Sequence, residues 1–143
     1  MSWETPKTDW HGSVDSEGNY VGDRFNAADF NRIKNNLDYL REIIIKMYDE
    51  FSLVSLGADR TPVDYFYADE INQLEENLNT VNNNSIKMSY GTAPIYFDNG
   101  NTMDFIELNR LESAILDLYE RLINEYNGRR MFTWNFGTKG GDL

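Results

Sequence analysis

The chain has no cysteine, which excludes disulfides and thiolate metal sites. Its one histidine, His11, lies in a loop-rich stretch, so multi-histidine zinc sites, histidine-based triads and Cys–His pairs are excluded as well. Long apolar runs are missing: none approaches the roughly 20 residues that span a bilayer. The opening "MSWETPKTDWHGS" has neither a basic n-region nor an apolar h-region, so a soluble chain without a Sec signal is expected. Positive charge is scarce, with 13 Lys and Arg against 24 Asp and Glu and a net charge of −11. The cations are scattered, which argues against nucleic acid and anionic membrane as partners.

Nucleotide-binding loops are absent too; there is no Walker-type loop and no GxGxxG. "DSEGNYVGD", 15 to 23, begins like a calcium loop. However, Tyr20 stands where the sharp turn needs glycine and Asn26 where a bidentate Glu belongs, so it reads as a polar turn. Carboxylates are plentiful but fall mostly on polar helix sides, where solvated charge is the default. No enzyme, no cofactor and no metal site is expected.

What the chain does have is 41% apolar and 14% aromatic residues, a globular composition, and a line written three times. "DFNRIKNNLDYL", "EINQLEENLNTV" and "ELNRLESAILDL" align on Asn31, Asn72 and Asn109. The alignment stacks four apolar columns: Phe30, Ile71, Leu108; Ile33, Leu74, Leu111; Leu37, Leu78, Ile115; and Leu40, Val81, Leu118. Their three, four, three spacing is one stripe of an α-helix. In the first copy the stripe continues through Ile44, Met47 and Phe51, and in the third through Leu122. Asn26 with Asp29, and Asp104 with Glu107, are spaced as capping boxes, with Phe25 and Met103 as staples; the second copy has Tyr67 where a cap belongs.

Each copy follows a segment holding one of the three prolines, Pro6, Pro62 or Pro94, which disfavours helix there. The unit is therefore loop then helix, about 40 residues long, and a duplicated unit explains the shared asparagines and staples better than periodicity alone. The asparagines are placed to tie to the backbone of an adjoining linker. Three stripes of near 3.5-residue period favour left-handed packing at roughly 20°.

The expected fold is mainly all-α: a bundle of three repeated loop-helix units, with an extended N-terminal arm and a short C-terminal β-strand. The arm covers 1–25, the bundle 26–128 with helices over about 26–51, 67–84 and 104–127, and a strand with a flexible tail 129–143. The strand rests on the alternation from Met131 to Phe136. Removing residues 1 to 20 is expected to leave the helices intact. Aromatics in the loops and ends, namely Trp3, Trp10, Tyr65, Phe66, Tyr67, Tyr96, Phe97, Trp134 and Phe136, either cover an open end of the bundle or anchor a neighbour; we take them as candidate assembly contacts.

The opening "SWETPKTDW" followed by "DRFNAADFNRIKNNLDYL" resembles a pattern of small structural proteins from phage and prophage tail modules, especially of Gram-positive hosts. The matching residues are Trp3, Pro6, Lys7, Thr8, Asp9, Trp10, Asp23, Phe25, Asp29, Phe30, Asn31, Arg32, Ile33, Asn35 and Asn36, about the first 40 positions. The resemblance implies a virion component of the tail, baseplate or attachment apparatus, assembled in the bacterial cytoplasm. It would act through contacts with other virion structural proteins and with copies of itself, and it brings no catalytic residues. The alternative is a host-attachment module that binds cell-wall glycan through Tyr65, Phe66, Tyr67, Tyr96 and Phe97.

Overall fold

The computed structural model describes residues 3–23, 25–62, 68–91 and 105–137. The described chain is mainly helical, with α1 at Ala27–Ile44, α2 at Ala68–Asn83 and α3 at Phe105–Gly137, preceded by strands β1 at Gly12–Val14 and β2 at Tyr20–Gly22.

Helix α1 starts where its sequence prescribes. The Asn26 side chain accepts from the Asp29 backbone N–H at 3.1 Å while Asp29 accepts from the Asn26 N–H at 3.0 Å, so two otherwise orphaned donors are satisfied reciprocally. All twelve residues of the four apolar columns are buried, and they share one core with Trp10, Ile43, Ile44, Leu56, Ala114 and Leu122. Each helix contacts both of the others. Burial of these stripes, rather than helix propensity, holds helices of this length.

Two expectations fail. Helix α1 ends at Ile44 instead of running to residue 51. Lys46 and Met47 bond back to the carbonyls of Ile43 and Ile44 in a tightened last turn, and Arg41 donates to the Phe51 carbonyl at 2.6 Å. Met47 and Phe51 do pack on the core, so their apolar spacing reports burial of a non-helical segment, not helix. The second failure is the C-terminal strand: the backbone from 131 to 136 continues α3. A helix already formed gains one hydrogen bond for each residue added, whereas a strand needs a partner edge. Six alternating residues cannot outweigh that difference.

The strands that do form lie near the N-terminus and pair antiparallel, Gly12 with Gly22, Ser13 with Val21 and Val14 with Tyr20. Asp15 closes their turn, its Oδ1 accepting from the N–H groups of Glu17 and Asn19, both at 2.9 Å, which spends that oxygen on the turn. At Gly22 the backbone φ is +135°, and a Cβ would sit 2.6 Å from both the Gly12 Cα and the His11 carbonyl oxygen. Only glycine lets the two strands approach there.

Candidate functional site

Two non-helical stretches, Glu4 to Trp10 and Val54 to Arg60, lie across the helices as straps, and asparagine side chains hold them. Asn36 accepts from the Glu4 N–H at 3.0 Å and donates to its carbonyl at 2.8 Å. Asn77 does the same for Val54, Asn31 for Arg60 and Asn109 for Trp10, with all distances between 2.7 and 3.0 Å. In each case one primary amide presents an acceptor and a donor side by side, satisfying both polar groups of one strap residue. Asn82 grips Met88 in the same way, at 2.9 and 2.6 Å. Strap 1 therefore joins α1 to α3, and strap 2 joins α2 to α1. Asn31 does reach the linker that follows its own helix, but Asn109 holds the far N-terminal strap rather than an adjoining linker. Asn72 is engaged as well.

Beneath strap 1 lies Glu112, fully buried between the core positions Leu111 and Ala114. Its Oε1 accepts from Arg32 Nε at 2.7 Å and from the Lys7 N–H at 3.1 Å; its Oε2 accepts from Arg32 Nη2 at 2.7 Å and from the Trp10 indole N–H at 2.5 Å. Four donors use the lone pairs that a carboxylate offers. Arg32 is paired on its other side to Asp29 at 3.0 Å. Burial alone would lower the Arg32 pKa, but the bonds to Glu112 and the charge of Asp29 outweigh it and hold the guanidinium above its ordinary value. Chemically this carboxylate is an anchor: with no free lone pair it is not placed to take a proton from a substrate.

A second arginine repeats the arrangement between α3 and α2. Arg110 binds Glu75 and, at 2.8 Å, Glu107. Burial pushes the Glu75 carboxyl up, against the pull of Arg110, and its Oε1 is buried without a hydrogen-bond partner among the described residues. On strap 2, Arg60 pairs with Glu70 and lies 5.0 Å from the Phe30 ring centroid. Lys34, buried on α1, reaches strap 2 and donates to the Gly57 carbonyl at 2.9 Å and to Asp59 at 2.8 Å.

Of the candidate assembly contacts, Trp10 is 3% exposed and committed to the core and to Glu112, which leaves it no face for a neighbour. Trp3 is partly buried and stacks on Tyr119 at 3.9 Å and 9°, with Tyr39 tilted beside them. Tyr65, Phe66, Tyr67, Tyr96 and Phe97 lie outside the described residues. Trp134 and Phe136 are on the backbone of α3, their side chains outside the description. The N-terminal segment is not a detachable arm: its Trp10 and Pro6 are buried, and its backbone is held by two helices.

Sequence reasoning missed the Glu112 network. Its signal was an acid set beside an apolar stripe, three residues after the shared asparagine, with an arginine one residue after that asparagine on two helices. The chain matches no family model, no curated protein and no solved structure.

Proposed function

We propose that the protein is a structural component of a phage or phage-derived tail, a bundle of three repeated loop-helix units that works by assembly with other virion proteins and with copies of itself. The reading rests on the resemblance of the N-terminal pattern to that of tail-module proteins. Its residues include those that fasten strap 1: Pro6 is buried, Trp10 and Arg32 meet on Glu112, Asn36 grips Glu4, and Asp29 caps α1. Such a pattern describes a way of closing a small fold, which suits a part that must hold its shape in a particle.

The repeat reading draws support from the ion pairs. Counting from the shared asparagine of each helix, the residue one position on pairs with the residue three positions on in another helix. Arg32 of α1 meets Glu112 of α3, and Arg110 of α3 meets Glu75 of α2. By the same count the third pairing would join Gln73 of α2 to Lys34 of α1, where neither residue is an arginine or a glutamate. The straps follow a related rule, since each is gripped twice, six residues apart, by asparagines on two helices.

The test is immunogold electron microscopy with antibodies raised against the purified chain, on particles released from cells that carry its gene. Labelling of tail structures is expected; particles that lack the chain by mass spectrometry would overturn the reading. Light scattering is expected to give a multiple of 16.7 kDa. Binding of the purified chain to cell walls would favour the glycan-binding alternative instead.

A further inference from the structure

Two buried glutamates hold equivalent places in the helices and are served differently. Glu112 of α3 and Glu75 of α2 each stand three positions after the shared asparagine, and each meets the arginine of another helix. Glu112 accepts four donors, two from Arg32 and two from strap 1. Glu75 is 4% exposed, yet among the described residues only one Arg110 nitrogen donates to it, on Oε2, and Oε1 is left bare. Arg110 does not make the two-pronged contact of Arg32, because its Nε turns to Glu107 at 2.8 Å. Gly91 lies against this arginine, where a Cβ would come 3.1 Å from the Arg110 Cδ, and it has no side chain to donate.

A buried carboxylate oxygen without a donor favours the neutral form, since burial penalises the charge and too little offsets it. The charged groups that act on Glu75 both belong to α3: Arg110 favours ionisation and Glu107 opposes it. Among the described residues, no charged group of α1, of α2 itself or of residues 84–91 shifts it. One guanidinium thus serves two carboxylates, and burial, the largest influence, holds the Glu75 carboxyl above the ordinary 4.5. Parting α2 from α3 would return Glu75 to water and to that ordinary value. The closed seam is therefore favoured by the neutral form, fully so below the ordinary value, and loses this advantage as pH rises through the folded value. At neutral pH the α2–α3 seam carries the cost of an unmet oxygen, and Glu112 in the α1–α3 seam has none.

We propose that the α2–α3 seam is a proton-responsive joint: α2 parts from α3 more readily while Glu75 is ionised, and the two close more tightly when Glu75 takes up a proton. Strap 1 keeps α1 fastened to α3 in either state, so the joint loosens one helix of the bundle without parting the other two.

The test is NMR on the isotope-labelled full chain. The Glu75 carboxyl carbon should titrate with a midpoint above 4.5. Hydrogen exchange, corrected for intrinsic rates, should show the amides of 71–78 better protected, relative to those of 33–40, at about pH 5 than at neutral pH. Glu75→Gln should abolish that pH dependence and keep or raise the urea midpoint at neutral pH, since one orientation of the amide leaves its oxygen on Arg110 and turns its NH₂ where no donor stands. A carboxyl midpoint at or below 4.5, protection that does not rise on acidification, or an equal rise in Glu75→Gln would overturn the proposal. So would a Glu75→Gln chain that unfolds or loses urea midpoint, because the charge would then be what holds the seam.

Discussion

Glu112→Gln changes one atom in the interior and keeps the shape of the side chain. In either orientation the new amide puts an NH₂ group where an oxygen now accepts two donors, Arg32 Nε with the Lys7 N–H on one side, or Arg32 Nη2 with the Trp10 indole on the other. Two donors are then opposed by a donor, and the guanidinium keeps only Asp29 as a charged partner. Breaking one side of a buried ion pair costs about 3–5 kcal/mol, and the surviving Asp29 contact places this case near the lower end, about 3 kcal/mol. Urea unfolding followed by circular dichroism suits a chain of this size. With a slope of about 1.5 kcal/mol per molar urea, the midpoint should fall by about 2 M. Trp10 fluorescence should change in parallel because its indole N–H loses its acceptor. A loss below about 1 kcal/mol would refute the reasoning, since it would mean that the four donors find water or other acceptors at little cost. Arg32→Met combined with Glu112→Leu should recover part of the loss, because removing both charges spares the unpaired one.

Four further outcomes are expected. Asn109→Ala should cost about 2 kcal/mol in urea unfolding, the net worth of two hydrogen bonds to Trp10, whereas Asn35→Ala, whose side chain bonds only exposed Asp59 among the described residues, should cost under about 0.5 kcal/mol. Leu37→Ala and Ile115→Ala, both fully buried, should each cost about 2–5 kcal/mol, and a loss under about 0.5 kcal/mol at both would show that the core is misassigned. Asp38→Asn should raise stability at neutral pH. The folded pKa of Asp38 lies above the ordinary 3.8, so its stabilising protonated form is fully present below that value and is lost as pH rises through the folded pKa; the gap between variant and parent should close in strongly acidic urea titrations. Deleting residues 1–10 should lower the helical signal and the urea midpoint together, because Glu112 and Arg32 lose the cover of Trp10; an unchanged midpoint would return the segment to the status of a loose arm.

The helices were legible because burial writes a period. Phe30, Ile33, Leu37 and Leu40 repeat in α2 and α3, and the Asn26 to Asp29 spacing marks where α1 begins. Periodicity could not mark where α1 ends, since Met47 and Phe51 are drawn to the same core without helical backbone. Nor could it separate a strand from the end of a long helix over Met131 to Phe136, where alternation is the only local cue. The buried network stayed hidden for a different reason. Glu112 and Lys7 are linked by a contact that spans 105 positions of sequence, and Glu112 next to an apolar stripe looks like any solvated helix face. Trp10 was readable as sticky but not as inward-facing, because nothing local in "PKTDW" says which surface it meets.

The asparagine grips hold backbone, not side chains, so they are indifferent to what they hold. The four gripped residues of the straps are a glutamate, a tryptophan, a valine and an arginine, four chemistries in one kind of grip. A mutation at such a residue leaves its amide and carbonyl where they were. The exposed Glu4 and Val54 can therefore change while the gripping helix positions cannot, whereas Trp10 and Arg60 are held a second time by their side chains, on Glu112 and Glu70. The outward side chains of the straps become the part of the molecule most open to change, a surface that can be rewritten for a new neighbour without unfastening the fold beneath it.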